Sequence, residues 1–101
     1  MSQLYTWLSV QHPGLRTYRA FQQKTVQLAR IDADHRALYK LLSSIVEPYI
    51  DLFEEAPLPV ELAETTFCRL LNIVRDAESS VFLMPQDQMR VLNEIASVEL
   101  I

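Results

Sequence analysis

The chain has 101 residues, half of them apolar and 22% charged, and a formal net charge of −4; this is the composition of one globular domain spanning residues 1–101, not of a disordered chain. Its single glycine, Gly14, excludes the P-loop and the dinucleotide fingerprint, both of which need glycine at several fixed positions. Its single cysteine, Cys68, excludes an internal disulfide and a multi-cysteine zinc site, and points to a reducing, cytoplasmic setting.

The N-terminal run LYTWLSV is apolar, but it has no positive flank and is too short to span a bilayer, so it reads as part of the fold. Leu4, Trp7 and Leu8 recur at helical spacing, with Tyr5 on the flank and Ser2 placed to cap a short first helix. His12-Pro13-Gly14 ends it, because proline cannot continue the ladder of hydrogen bonds and glycine tolerates a left-handed turn.

A second helix is predicted from Leu15 to Ile31, with a narrow apolar stripe of Tyr18, Phe21, Thr25, Leu28 and Ala29. On the other side, Arg16, Arg19, Gln23, Gln27 and Arg30 fall within about a quarter of the wheel. They form a row of long hydrogen-bond donors with no acid among them. Asp32 or Asp34 can then cap a new helix at its positive end, which favours a break over Asp32–His35. The alternative is one helix of about forty residues, whose stripe a chain this short could not bury alone.

Ala33 to Glu55 supplies the core. Leu38, Leu41, Leu42, Ile45, Val46, Tyr49, Ile50, Leu52 and Phe53 cover about half of the circumference, an arc wide enough to be touched on several sides. Pro48 lies within this pattern and predicts a kink, its neighbours Val46 and Tyr49 both remaining on the apolar arc.

Ala56-Pro57-Leu58-Pro59 is a stiff connector, with Pro59 suited to the first position of a helix that runs to about Ser79. That helix aligns Ala63, Phe67, Leu70, Leu71, Val74 and Ala77. The apolar connection SVFLMP, residues 80–85, is expected to cover the core or be covered by it. A last helix, from about Gln86 to Leu100, offers Met89, Leu92, Ile95, Ala96 and Val98 to the core. No alternating strand pattern occurs, so the expected fold is all-α: a small bundle of four to five helices around a central helix kinked at Pro48.

Few residues suggest chemistry. Glu47, Asp51, Glu54 and Glu55 make an acidic patch, but no histidine follows at the spacing of a helical di-iron site. His12 reads as a turn residue, and His35 as a boundary residue or a core residue bonded to a carbonyl; they are the only histidines. Cys68 is expected to be a buried small hydrophobe, and Ser43-Ser44 has no nearby base or nucleophile elbow. Trp7, Tyr18, Phe21, Tyr39 and Phe53 read as core aromatics. No catalysis, cofactor or metal is expected.

Charge is unevenly spread: residues 1–46 carry six basic side chains against Asp32 and Asp34, and residues 47–101 carry three against eleven acids. Complementary halves suit a symmetric dimer, and wide apolar arcs suit an interface. The expected function is therefore a protein–protein interaction module, an adaptor, assembly factor or regulator that self-associates, with no membrane contact. The alternative is a nucleic-acid-binding module using the Arg16, Arg19, Gln23, Gln27, Arg30 face, since Arg and Gln reach phosphates and base edges and the first two helices outline a loose helix-turn-helix.

Overall fold

In a computed structural model, which describes residues 3–100, the chain forms five α-helices and, among the described residues, no strand. They are α1 (Gln3–Ser9), α2 (Leu15–Ile31), α3 (Arg36–Phe53), α4 (Val60–Ser80) and α5 (Pro85–Ala96), with a 3-10 turn over Ala33–His35. Ser2, the proposed cap of α1, lies outside the described residues.

The α2–α3 hairpin is the most extensive contact in the molecule. From α2 it buries Thr17, Tyr18, Phe21, Thr25 and Ala29, and from α3 Leu38, Tyr39, Leu42, Ile45, Val46, Tyr49 and Ile50. At its centre the rings of Tyr18 and Tyr49 stack with centroids 4.5 Å apart, and Phe53 tilts against Tyr49 at 5.1 Å. Burial pushes both phenols up, Tyr18 far more than Tyr49, and neither buried hydroxyl has a partner in hydrogen-bonding geometry. Leu41 and Phe53 are half-buried, whereas Leu52, expected in the core, is 50% exposed at the end of the helix.

The break between α2 and α3 is real. Asp32 accepts from the backbone N–H of His35 at 3.3 Å and its other oxygen meets His35 Nδ1 at 2.9 Å, so one carboxylate caps the turn twice. That contact holds the Asp32 carboxyl below its ordinary range. His35 is thus tied to a carboxylate, not to a core carbonyl. Arg36 closes the joint by donating from Nε to the carbonyl of Ala29 at 2.8 Å, one of the orphan acceptors at the end of α2. The forty-residue helix is excluded, and Ile31, the last residue of α2, is 75% exposed.

Gly14 corrects a second expectation. It caps α2 in extended conformation, φ −99° and ψ 167°, not in a left-handed turn, and a Cβ there would meet nothing within 4 Å. The corner is instead held by the Thr17 hydroxyl, which donates to the His12 carbonyl at 2.6 Å. Pro59 likewise stands just outside α4 as its cap, one position earlier than its suitability for the first turn suggested. Pro48 lies inside α3 on the solvent side, and the helix continues past it to Phe53 without restarting.

Against the hairpin, α4 packs on α1 and α5, and α5 also touches α3. Besides its apolar face, α4 buries Thr66, Glu78 and Ser80. Glu78 Oε1 accepts the backbone N–H of Tyr5 at 2.7 Å, so a carboxyl 73 residues away serves the first turn of α1. Burial pushes this carboxyl above its ordinary range despite that contact. Cys68, expected to be buried, is exposed, on a flank of α4 that it shares with the exposed Glu64 and Arg75. The last helix ends at Ala96, four residues before its expected end, and the extended tail returns Leu100 to the core while Arg69 donates to the Glu99 carbonyl.

Candidate interaction surface

The row on α2 is displayed as its periodicity requires: Arg16, Arg19, Gln23, Gln27 and Arg30 are all exposed, opposite the buried Tyr18–Thr25–Ala29 side. The neighbouring helices nevertheless divide it. Arg19 Nη2 lies 3.3 Å from Glu54 Oε1 at the far end of α3, with both side chains about half exposed, a pair worth about 0–1 kcal/mol. Gln27 lines a recess shared with α1, and Arg30 lines one shared with the start of α3. Arg16 and Gln23 stay between, with no polar partner among the described residues.

Two recesses result. One, about 690 Å³, lies between α1 and the end of α2 and is walled by Trp7, Lys24, Gln27, Ile31, Asp32 and Tyr39. Its polar groups are largely engaged: Lys24 Nζ sits 5.0 Å from the centroid of Trp7, and Asp32 is held by His35. The other, about 640 Å³, lies between α2 and α3, where Arg30, Arg36 and Lys40 meet with Val26, Ser43 and Ser44 and no carboxylate. Sequence reasoning missed this second cluster because its members belong to two helices; the signal available was that Arg36 and Lys40 flank the predicted turn.

The acidic residues Glu47, Asp51, Glu54 and Glu55 stand on the exposed side of α3 and its end. Among the described residues no group of three or more His, Cys, Asp or Glu is placed to hold a metal ion. The Ser43 and Ser44 hydroxyls both donate to the Lys40 carbonyl at 2.9 Å. His12 is exposed and offers its backbone carbonyl to Thr17. The aromatic set is structural: Tyr18, Phe21 and Tyr39 are buried, and Trp7 and Phe53 pack against the core.

The most exposed large apolar side chain lies elsewhere. The connection from α4 to α5, expected to cover the core or be covered by it, presents Phe82 at 83% exposure and Met84 at 72%, with Leu83 at 42%; Met89, assigned to the core from its spacing, is 56% exposed on α5. The cause is local: Phe82 N and Leu83 N bond to the carbonyls of Ser79 and Ser80, a tight turn that leaves no span of chain to fold back over the core. No protein-family model matches the chain, and no curated protein or solved structure matches it.

Proposed function

We propose that this chain is a protein–protein interaction module, an adaptor, assembly factor or regulator that performs no catalysis and associates with itself. The observation that supports this reading is the consecutive exposure of Phe82, Leu83 and Met84 on an ordered turn, where three large apolar side chains stand in water. Single exposed hydrophobes are ordinary on a monomer; a cluster on one turn marks a contact. The nucleic-acid alternative is weaker, because Glu54 already engages Arg19 and the carboxylates at the end of α3 stand beside the Arg16 end of the row.

The test is affinity purification of the native protein alongside a Phe82→Ser/Met84→Ser variant. A defined polypeptide retained by the native chain and lost from the variant is expected. Identical retention by both overturns the assignment of the turn, and salt-sensitive recovery of nucleic acid without protein overturns the reading in favour of the alternative.

A further inference from the structure

The solvent-facing stripe of α3 carries four charges with no ion pair among the described residues, although Arg36 donates from Nε to the Ala29 carbonyl. Reading Arg36, Lys40, Ser43, Ser44, Glu47 and Asp51 on a wheel of about 100° per residue places all six within roughly 100° of one another. All are exposed except Ser43, which is half-buried. The stripe is basic at its start, small at its middle and acidic at its end. Each of these features opposes the helix that carries it. The positive end of the helix dipole faces Arg36 and Lys40 and the negative end faces Asp51, the reverse of the favourable arrangement. Arg36 with Lys40, and Glu47 with Asp51, are like charges four residues apart, which destabilise a helix. None of the four takes part in an ion pair among the described residues.

The pattern is, however, complementary to itself in reverse. Turned end for end about a point between Ser43 and Ser44, the stripe sets Lys40 against Glu47 and Arg36 against Asp51. We infer that a second copy of this chain packs across this stripe, α3 antiparallel to α3 about a two-fold axis at Ser43-Ser44, which makes four intermolecular ion pairs from charges left unpaired in each protomer. This inference rests on the proposed self-association and assigns it a face.

Three further observations fit that packing. Serine at the crossing point allows two helices to approach closely, at the short end of the usual 8–10 Å separation. Lys40 and Glu47 lie about 5 Å either side of the axis and Arg36 and Asp51 about 11 Å, from the rise of 1.5 Å per residue, so both pairs stay within side-chain reach at a shallow crossing angle. Lys40 and Ser44 also separate two recesses, of about 640 Å³ toward α2 and about 430 Å³ toward α5. Val26 of α2, 40% exposed, lines the first, and Met89 of α5, 56% exposed, lines the second, so apolar surface flanks the polar seam on both sides.

Sedimentation equilibrium of the full chain over 1–100 µM tests this, with circular dichroism confirming that each surface variant remains helical. The native chain is expected to be a dimer that weakens between 50 mM and 500 mM salt. Lys40→Glu and Glu47→Lys should each raise the dissociation constant by at least about tenfold, because each replaces two attractive pairs by two repulsive ones. The double variant Lys40→Glu/Glu47→Lys, in which the pairs re-form with sign reversed, should recover to within about threefold of the native value. A native monomer at 100 µM overturns both the seam and the proposed self-association. A native dimer indifferent to all three variants overturns the seam alone.

Discussion

α3 and α5 are both amphipathic helices with an apolar side at the expected spacing, yet seven of the 18 residues of α3 are buried and only Ile95 among the 12 of α5. The difference lies in their neighbours. α3 is pressed along its length by α2 and is also touched by α5, whereas the contacts of α5 with α4 and with α3 are both much less extensive. An apolar pattern states which side of a helix can be buried; the extent of contact along that side decides how much of it is.

The largest test of this contrast is a pair of truncations. Leu42→Ala removes a fully buried side chain at the centre of the hairpin and is expected to cost about 2–5 kcal/mol, measured as a shift in urea midpoint. Met89→Ala in α5 should change stability by about 0.5 kcal/mol or less in the same assay, as at an exposed site. Comparable losses from the two would show that α5 contributes to the core as α3 does.

Glu78 sharpens the contrast on the side of α4. Its buried carboxyl is held above the ordinary range, so the folded protein keeps this proton to higher pH than the unfolded chain does. Its contribution is therefore fully present below the unfolded carboxyl pKa and is lost as pH rises from that value through the raised one. Glu78→Gln keeps an oxygen for the Tyr5 N–H and cannot ionise. Relative to the native chain it should gain stability across that window as pH rises, with no further change above it. A constant difference from pH 4 to 7 would show that Glu78 titrates normally.

The smallest expected effect belongs to the start of the hairpin. Gly14 caps α2 with no side-chain hydrogen bond and in a conformation open to any residue. Gly14→Asp would add a cap and a favourable charge while restricting the unfolded chain, for a gain of about 0.5–1 kcal/mol in thermal or urea unfolding. A loss would mean that the His12–Gly14 corner depends on the glycine itself.

The legible parts of this fold are those governed by near neighbours in sequence. The limits of α2 follow from Pro13-Gly14 on one side and the Asp32 cap on the other, and both are where spacing places them. The errors occur where distant packing decides. Cys68 is one step past the core face of α4, and the packing of α4 leaves it exposed with Glu64 and Arg75. Glu78, Thr66 and Ser80 are buried by elements whose docking no local pattern reveals; the partner of Glu78 is 73 positions away. The same holds for the surface. That Arg16, Arg19, Gln23, Gln27 and Arg30 face water follows from the α2 wheel, but the engagement of Arg19 by Glu54, 35 residues on, does not. The mirrored charges of α3 were present in the sequence throughout, and became meaningful once Pro48 proved to leave the helix continuous.

No residue other than glycine has positive φ among the described residues, and Gly14 does not either. Prolines stand at the starts of α4 and α5, an aspartate ends α2 and caps the 3-10 turn, and the other helix ends turn without positive φ. No position from 3 to 100 is therefore reserved by backbone geometry alone. In evolutionary terms, substitutions in this chain are filtered by the bulk and polarity of side chains, so its sequence can drift far while the path of the backbone is retained.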